Sequence, residues 1–509
     1  MPFSSLHGFV GALRKAGELH SIDARVDPYL EISEITDRVV KAGGPALLFT
    51  RVAGSKFPVL TNQFGTQRRM ALALDAPNLD AAAERVRRLV DIAIPGASLS
   101  EKIGALVRLA PLRNAAPHVV RDAAVHAVVE SKPDLTQLPV LTTWPLDAGP
   151  FITLPLVITK DPRSGRPNVG MYRMQVYNAC ETAMHWQRHK QGRAHAAAWG
   201  ERVPVAVAIG TEPVLTYAAT APLPPILDEF AFAGLLRGRP VDLVAAKTVD
   251  LMVPAEAEFV LEGYVDNLDV RVEGPFGDHT GVYSPADRYP TFHVTCLTHR
   301  RDPIYAATVV GRPPMEDAWL GKATERLFLP LLQLVLPEVV DMNLPVEGGF
   351  HNLAIVSIRK AYPGHAKKVM SALWGLGHMM MLTRVLVIVD ADVDVQDARG
   401  VAWFVLNNLA PERDLVMMPG PVDDLDHGSY EVAYGTKIGV DATRKSAAEG
   451  YARDWPPDMM MNDEIRARVS KRWREYGLER LSGALQPDDW SGQGASALRR
   501  LLQRGQYPS

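Results

Sequence analysis

Apolar residues in the first hundred positions recur at the three- to four-residue spacing of one helix face, with short uninterrupted apolar runs between them. The stretches with helical spacing are 5–17, 31–42 and 80–94. Two short apolar runs, 46–50 and 58–60, are typical of buried strands, and the Gly-Gly-Pro sequence at 43–45 ends the second helical stretch. The pattern predicts an N-terminal α/β domain over residues 1–115.

From about residue 116 the pattern changes to many short β-rich runs that proline and glycine interrupt. These runs are 126–130, 152–159, 170–177, 203–209, 257–264 and 292–297. Residues 231–238 predict a helix within this part of the chain. Many short strands at such intervals are typical of a barrel or a sandwich, so we expect a β-rich domain over residues 116–310.

Beyond about residue 310, strands and helices alternate again. The strands and helices predicted here are 353–358, 365–377, 385–389 and 397–408. This alternation predicts a doubly wound sheet of parallel strands over residues 311–450. A charged amphipathic helix at 463–476 lies in a final arm, residues 451–509, which either packs on another subunit or stays solvated.

The composition narrows the class of protein. The chain has 509 residues, enough for several domains, and is 47% hydrophobic and 22% charged, as is ordinary for a globular protein. The net charge of -3 gives no electrostatic reason to expect nucleic-acid binding. No run of about eighteen apolar residues predicts a membrane span, although peripheral contact with a membrane stays open. Cys180 and Cys296 lack metal-binding spacing and a signal-peptide pattern is missing, so we expect a cytoplasmic protein.

Glu273 and Asp278 lie five residues apart in the sequence Glu-Gly-Pro-Phe-Gly-Asp-His-Thr-Gly at 273–281. Glycine permits positive φ and proline fixes φ, so this sequence predicts a tight, shaped loop. Two interpretations are open: a surface turn with two solvated acids, or an acid pair whose charge a cation and a substrate offset. The second interpretation requires a partner elsewhere in the chain.

Arg173 is the first candidate partner for this acid loop. A turn at 161–167 precedes it, and alternation along a predicted strand places Met171, Arg173 and Gln175 on one face. Arginine keeps its charge and can hold a carboxylate through two hydrogen bonds, so pairing with Glu273 would offset the charge of the loop. The alternative is a surface arginine on a strand.

Other side chains are candidate metal ligands. His185 and His189 could share a helix face, but the glutamate of a zinc-protease motif is missing, and packing of this His-Trp segment is the alternative. Asn168 and Glu229 offer the oxygen atoms that Mg²⁺ or Mn²⁺ accepts. A glutamate in the first turn of a helix is also favoured by the helix dipole alone. The sequence lacks a phosphate-binding P-loop, a nucleophile elbow and a dinucleotide-binding glycine motif.

Six segments together resemble the UbiD family of reversible decarboxylases, which use prenylated FMN. They are Asn168-x4-Arg173, Glu229, the 273–281 loop, Gly311-Arg-Pro-Pro314, Tyr362-Pro-Gly-His-Ala-Lys-Lys368 and Gly435-Thr-Lys-Ile-Gly-Val-Asp-Ala-Thr443. Within the family the resemblance is strongest to the bacterial 4-hydroxy-3-polyprenylbenzoate decarboxylases of ubiquinone biosynthesis. It implies a multidomain α/β fold in which N- and C-terminal α/β domains flank a central split β-barrel of the flavin-reductase type.

The resemblance also implies roles for individual residues. The implied catalytic residues are Arg173, Glu273 and Asp278. The implied ligands of a metal ion, expected to be Mn²⁺, are Asn168 and Glu229, and His185 matches a third ligand of some relatives. K⁺ is a further candidate ion. The implied contacts to the cofactor are Asn168, Met171, Tyr172, Arg173, His185, Trp186, Gln187, Lys190 and Gln191.

The implied activity is non-oxidative decarboxylation of an aromatic acid, with a 4-hydroxybenzoate type such as 4-hydroxy-3-polyprenylbenzoate expected. Other small aromatic, heteroaromatic or cinnamic acids are alternatives. Asp278 would return a proton to the carbon that loses CO₂, and burial beside Glu273 would raise the pKa of its carboxyl group. The expected partners are a flavin prenyltransferase, which supplies the cofactor, and further copies of the chain in a dimer or hexamer. A non-catalytic flavin-binding scaffold and an NAD(P)H-dependent flavin reductase are the alternatives of another class.

Overall fold

The computed structural model describes residues 3–93, 116–188, 190–224, 227–377, 380–453, 455–456 and 459–477. Contacts within the chain divide it into two compact units, residues 1–331 and 332–509. The chain has a multidomain α/β fold, as the resemblance implied. Within the described residues, no helix combines the length and apolar character that crossing a membrane requires. The predicted boundaries at residues 115, 310 and 450 stay predictions.

The N-terminal part of the first unit follows the predicted pattern. Its elements are α1 (Leu6–Lys15), β1 (Leu19–Val26), α2 (Glu31–Lys41), β2 (Ala46–Val52), β3 (Val59–Thr61), α3 (Gln67–Ala73) and α4 (Leu79–Ala93). Strand β2 pairs in parallel with β1 and antiparallel with β3. The five elements that periodicity predicted here agree with the structure to within two residues at each end, because each buries one clear apolar face or run.

The rest of the first unit is rich in short strands. Its strands are β4 (His118–Val119), β5 (Val128–Glu130), β6 (Phe151–Ile152), β7 (Pro155–Lys160), β8 (Pro167–Met171), β9 (Met174–Gln175), β10 (Glu181–Ala183), β11 (Arg202–Ile209), β12 (Asp242–Ala245), β13 (Met252–Pro254), β14 (Phe259–Glu273), β15 (Phe276–Gly277), β16 (Tyr283–Ser284), β17 (Asp287–His299) and β18 (Tyr305–Ala306). Its helices are α5 (Gln191–Trp199), α6 (Pro213–Ala218), α7 (Glu229–Arg237) and α8 (Asp317–Val335). Helix α8 begins in the first unit and ends in the second. The main sheet has the order β10-β17-β14-β11-β7-β8, with β5 also paired to β17. Within the described residues the two end strands of this sheet, β10 and β8, do not pair with each other, so the sheet does not close into a barrel. The predicted split barrel is therefore not confirmed.

The long strands β14 and β17 extend well beyond the runs that apolar character predicted. They pair antiparallel from Phe259 with His299 to Glu273 with Asp287, with register shifts at Glu262/Gly263 and between Asp266 and Val270. The segment Asp-Asn-Leu-Asp at 266–269 lies at the second of these shifts, as an irregularity inside the strand pair. The extension carries Glu273 to the end of β14, where the acid loop begins.

The predicted strand at 170–177 is wrong, because the chain breaks it at Tyr172 and Arg173. Strand β8 ends at Met171 in the main sheet, and β9 pairs with β6 in a separate two-stranded sheet. The ring of Tyr172 folds back over Gly170, where a β-carbon would lie 2.5 Å from the ring. The predicted alternation of faces therefore fails, and Arg173 projects from a break between two strands.

The second unit contains an α/β sheet close to the predicted one. Its elements are β19 (Val339–Asn343), β20 (Leu353–Ile358), α9 (His365–Gly375), β21 (Val385–Asp390), α10 (Ala398–Asn408), α11 (Pro411–Asp414), β22 (Leu415–Pro421), β23 (Tyr434–Asp441) and α12 (Asp463–Lys471). The two predicted strands, β20 and β21, are parallel neighbours, as predicted. Strand β23, which was not predicted, continues the parallel set, and the edge strands β19 and β22 run antiparallel. The sheet is therefore mixed. The sequence did not predict this, because the two antiparallel edge strands were not among the predicted strands.

Candidate active site

The acid loop is a shaped turn that packs against a tryptophan. After Glu273, Gly274 adopts a φ of +88°, and the short strands β15 and β16 then form a hairpin. A β-carbon on Gly277 would lie 2.2 Å from the indole ring of Trp144, so only glycine permits this close approach. The indole Nε1 of Trp144 donates to the carbonyl oxygen of Val310 at 2.8 Å. The loop is thus fixed against the segment that leads into α8.

Arg173 bridges the two acids of the loop. Its Nε donates to Glu273 Oε1 at 3.0 Å, and one of its terminal nitrogens forms an ion pair with Asp278 Oδ2. The other terminal nitrogen donates to Ser284 Oγ at 3.0 Å. Glu273 is 1% exposed and Asp278 is 7% exposed. The predicted Arg173–Glu273 pair is therefore present, and the interpretation of the loop as a solvated surface turn is wrong.

His185 is the second partner of Glu273. Its Nδ1 lies 2.5 Å from Glu273 Oε2, and its ring lies against Tyr289 with the centroids 4.2 Å apart. Burial alone would raise the pKa of Glu273, but the hydrogen bond from His185 and the charge of Arg173 outweigh it and hold the pKa below its ordinary value. Because Nδ1 contacts Glu273, a metal at His185 would have to use Nε2.

Asp278 is ionised in this arrangement, which corrects the expectation of a raised pKa. Burial would raise the pKa, but the hydrogen bond from the His279 ring and the charge of Arg173 outweigh it and place the pKa well below the usual range. His279 Nδ1 lies 2.9 Å from Asp278 Oδ1, and the His279 backbone N–H donates to the same oxygen at 2.7 Å. As it stands, Asp278 holds no proton to deliver.

Asn168 and Glu229 lie together on β8 and α7. The backbone N–H of Val169 donates to Glu229 Oε2 at 2.7 Å, and burial raises the pKa of Glu229 to about 7. Asp228 caps α7 by accepting from Ala231 N at 2.9 Å, so Glu229 is not needed for the cap. Asn168 Nδ2 is buried without a hydrogen-bond partner among the described residues. The oxygen atoms of this carboxylate and of the Asn168 amide are ligands that a hard divalent cation accepts, whereas the unpaired Nδ2 is a donor and suits an anionic group such as a phosphate.

Three of the predicted cofactor contacts, Tyr172, Trp186 and Lys190, lie together. The rings of Tyr172 and Trp186 meet edge to face at 5.3 Å, and Lys190 Nζ lies 5.7 Å from the Tyr172 ring centroid. Trp186 Nε1 is buried and finds no partner in the described part of the chain. Unused buried donors beside an aromatic pair fit an anionic ligand such as a phosphate. The remaining predicted contacts, Met171, Gln187 and Gln191, are half-buried, and His189 lies outside the described residues.

Another group, of two acids and a histidine, has side chains close enough together to ligate a metal ion but includes none of the predicted ligands. Glu181, Asp269 and His293 place their ligand atoms within 4.8 Å of one another. Arg271 lies among them and donates to Glu181 at 2.8 Å and to Asp269 at 2.7 Å. Because the guanidinium already balances both acids, this group is best described as an ion-pair network on the sheet.

Several residues of the site were missed from the sequence. They are Trp144, Ser284, Tyr289, His279 and Asp317. Of these five, His279 lies within the 273–281 loop, next to Asp278, and Asp317 lies three residues after the Gly311-Arg-Pro-Pro314 segment, so both were close to motifs identified in the sequence. The other three are ordinary residues whose contacts depend on pairing between distant strands.

Family models match three successive segments of the chain. Residues 10–89, 118–313 and 318–442 match the N-terminal, Rift-related and C-terminal domains of UbiD, the 3-octaprenyl-4-hydroxybenzoate carboxy-lyase. The chain is 51% identical over 480 residues to an uncharacterized protein of Archaeoglobus fulgidus, covering 93% of this chain and 99% of the relative. It is 49% identical over 484 residues to an uncharacterized protein of Aquifex aeolicus, covering 94% and 99%.

Solved structures show the same similarity. The closed form of the vanillic acid decarboxylase of Sedimentibacter hydroxybenzoicus is 26% identical, with a TM-score of 0.82 over 94% of this chain and 99% of that one. The UbiD-class enzyme HmfF of Pelotomaculum thermopropionicum, in complex with FMN, is 28% identical, with a TM-score of 0.73 over 89% and 97%.

Proposed function

The chain belongs to the UbiD family and is a carboxy-lyase, and we propose that it decarboxylates an aromatic acid of the 4-hydroxybenzoate type with prenylated FMN and a divalent cation. The observation that carries this proposal is the buried contact of Arg173 with both Glu273 and Asp278. Membership in a family of carboxy-lyases disfavours the scaffold and flavin-reductase alternatives.

Support for the substrate comes from the relatives. The family description names 3-octaprenyl-4-hydroxybenzoate, and vanillic acid, the substrate named for the Sedimentibacter enzyme, is also a 4-hydroxybenzoate. We propose a 4-hydroxybenzoate without fixing its ring substituents, so a small hydroxylated acid and a polyprenylated one remain alternatives for the same site. The proposed partners are a flavin prenyltransferase and further copies of this chain, and the proposed location is the cytoplasm.

The proposed cofactor would be held by residues around Asn168. Asn168 and Glu229 would ligate Mn²⁺, which would offset the phosphate charge, with His185 Nε2 as a further candidate ligand and K⁺ as a further candidate ion. When bound, prenylated FMN would supply a sink for the electron pair left by the departing CO₂. The proposed contacts to it are Asn168, Met171, Tyr172, Arg173, His185, Trp186, Gln187, Lys190 and Gln191.

Charge within the site explains how an ionised Asp278 becomes a proton donor. Arg173 brings one positive charge, while Glu273 and Asp278 bring two negative ones. A substrate carboxylate beside this group adds a third negative charge, which raises the pKa of the nearest acid and favours protonation of Asp278. CO₂ leaves as a neutral molecule, so the electron pair and its negative charge stay behind with the carbon that lost the carboxylate and the sink that the cofactor would supply. The O–H bond of Asp278 then breaks as a C–H bond forms at that carbon, and Asp278 returns to its carboxylate form.

The experiment compares protein made with and without co-expression of a flavin prenyltransferase. Each preparation is given 4-hydroxybenzoate, vanillate, a 3-prenylated 4-hydroxybenzoate, cinnamate and furoate, and the CO₂ released is measured. The proposal predicts release that depends on the prenyltransferase and is fastest with a 4-hydroxybenzoate. Turnover of furoate or cinnamate alone would overturn the substrate class. A flavin-loaded protein that turns over no acid would contradict the proposed function.

A further inference from the structure

A turn at residues 143–148 lies against the acid loop, and the proposed chemistry leaves it unused. Asp147 closes this turn. Its Oδ2 accepts from the backbone N–H and the Oγ1 of Thr143 at 3.0 Å and 2.6 Å, and from the backbone N–H of Trp144 at 2.9 Å. These three hydrogen bonds occupy one oxygen of the carboxylate and leave Oδ1 for a partner outside the turn.

Oδ1 of Asp147 contacts the acid loop. It accepts from the backbone N–H of Gly277 at 2.8 Å, and Gly277 directly precedes Asp278. Trp144, from the same turn, packs against Gly277, where a β-carbon would lie 2.2 Å from the indole ring. Because the hydrogen bond and the ring both act on Gly277, the turn fixes the backbone immediately before Asp278.

Gln175 holds the start of the acid loop. Its Oε1 accepts from the backbone N–H of Gly274 at 2.8 Å, and its Nε2 donates to the carbonyl oxygen of Ala148 at 3.1 Å. The backbone N–H of Ala148 in turn donates to the carbonyl oxygen of Pro275 at 3.0 Å. Gln175 is buried and lies two residues after Arg173. One side chain therefore joins the segment that carries Arg173, the acid loop and the 143–148 turn.

The position of Asp278 decides how fast it can protonate a carbon atom. In the proposed reaction the O–H bond of Asp278 breaks as a C–H bond forms, so the carboxyl oxygen must lie close to the carbon that lost CO₂. A displacement of about 1 Å lowers the rate of such a step by about a hundredfold. Glycine at 274, 277 and 281 widens the range of conformations open to the loop, so contacts from outside the loop must select the productive one.

We propose that Asp147 and Gln175 are positioning residues that fix the acid loop so that Asp278 reaches the carbon that loses CO₂. The proposal rests on the proposed function, in which Asp278 gives its proton to that carbon. Asp147 fixes the peptide group before Asp278, and Gln175 fixes the peptide group after Glu273. A carboxylate suits the first role, because all four groups that donate to Asp147 require an acceptor.

The test compares Asp147→Asn with the wild type, both full-length and loaded with prenylated FMN. Asparagine replaces one acceptor oxygen by an NH₂ donor. The three donors of the turn retain the remaining oxygen, so the turn is kept and the hydrogen bond to Gly277 is lost. We expect kcat to fall at least about tenfold and KM to stay within about threefold of the wild type. The ratio of kcat in H₂O to kcat in D₂O should rise, because proton transfer from a displaced Asp278 becomes limiting.

Asp134→Asn is the matched control. Asp134 also closes a local turn, because it accepts from the backbone N–H and the Oγ1 of Thr136 at 3.0 Å and 2.5 Å. Its hydrogen bonds among the described residues all lie within 134–137. This variant should keep the kcat and the isotope ratio of the wild type. An equal fall of kcat in both variants would overturn the proposal, and so would a wild-type kcat and isotope ratio in Asp147→Asn.

A second readout does not depend on turnover. In hydrogen–deuterium exchange of the protein without cofactor, the Gly277 amide should exchange at least about tenfold faster in Asp147→Asn than in the wild type or Asp134→Asn, because its acceptor is gone. Unchanged exchange would overturn the proposal.

A second variant covers the case in which Asp147→Asn does not fold. Gln175→Met keeps the side-chain volume but loses the hydrogen bonds to Gly274 and Ala148. A lower kcat with a higher isotope ratio in this variant supports the proposal, and wild-type values of both overturn it. If the wild type turns over no acid, the proposed function fails, whereas exchange at Gly277 still shows whether Asp147 holds the loop.

Discussion

Arg173 and Asp278 form a buried ion pair across 105 positions of the chain, and the same guanidinium holds Glu273 through its Nε. The side chain that donates the proton in our account is therefore ionised before substrate arrives. Binding of the substrate carboxylate then becomes the event that protonates Asp278, which links substrate recognition to proton supply.

Replacing Arg173 should destabilise the protein, because Arg173 contacts both buried acids of the loop. Arg173→Met keeps much of the side-chain volume but leaves Glu273 and Asp278 without their shared cation, so we expect the free energy of unfolding to fall by about 3 kcal/mol at pH 7. Chemical denaturation measures this change. Ser284→Ala removes one hydrogen bond from the same guanidinium and the hydrogen bond from Ser284 Oγ to the Phe276 carbonyl oxygen, and it should cost less, about 1 to 2 kcal/mol. Equal losses in the two variants would show that Arg173 does not balance the acids.

The close approach of Trp144 to the acid loop should not tolerate a β-carbon. Gly277→Ala places a methyl group 2.2 Å from the indole ring, so we expect a loss of about 2 kcal/mol in the free energy of unfolding. Gly11→Ala is the matched control, because Gly11 lies in α1 with no atom within 4 Å of the added carbon. That substitution should stabilise the protein by up to about 1 kcal/mol through helix propensity. A neutral Gly277→Ala would contradict the described packing.

Divalent cations should bind through Glu229 but not through its neighbour. We expect Mn²⁺ to raise the melting temperature of the wild-type protein, since a cation offsets the buried carboxylate. Glu229→Gln should lose this increase. Asp228→Asn should retain it, because asparagine also serves as a helix N-cap. A Mn²⁺ response that survives in Glu229→Gln would place the cation elsewhere, and the group of Glu181, Asp269 and His293 would be tested next.

Acid should destabilise the protein through the same two carboxylates. The pKa values of Glu273 and Asp278 are held below their ordinary values in the folded protein. Groups of this kind contribute stability that is complete above their unfolded pKa of about 4 and is lost as pH falls through the lower folded values. The free energy of unfolding of the wild type should therefore fall more steeply below about pH 4 than that of Asp278→Asn. Parallel curves would mean that Asp278 is not held ionised.

Local patterns in the sequence predicted most of the elements around the site but not its irregularities. The Arg173–Glu273 pair followed from the need to balance a buried acid. The break at Tyr172 did not, because it depends on a ring folding back over Gly170. The full length of β14 could not be predicted either, because the strand pair continues beyond an irregularity between Asp266 and Val270 where the register shifts.

The electrostatics of the site were predicted least well. Burial of Asp278 suggested a raised pKa, but the hydrogen bonds from His279 reverse it. His185 was assigned to the cofactor and the metal, whereas the fold brings its Nδ1 to Glu273. His279 follows Asp278 directly in the sequence, but the orientation of its ring toward the carboxylate cannot be predicted from spacing. The approach of His185 to Glu273 joins residues 88 positions apart and depends on the fold.

The most direct measurement is a decarboxylation assay in D₂O that compares wild type with Asp278→Asn, both loaded with prenylated FMN and given the best 4-hydroxybenzoate substrate. We expect the wild type to release CO₂ and to place one deuterium on the carbon that lost it, while Asp278→Asn turns over at least about a hundredfold more slowly and remains folded. Near-normal CO₂ release and deuterium transfer by Asp278→Asn would show that Asp278 is not the proton donor.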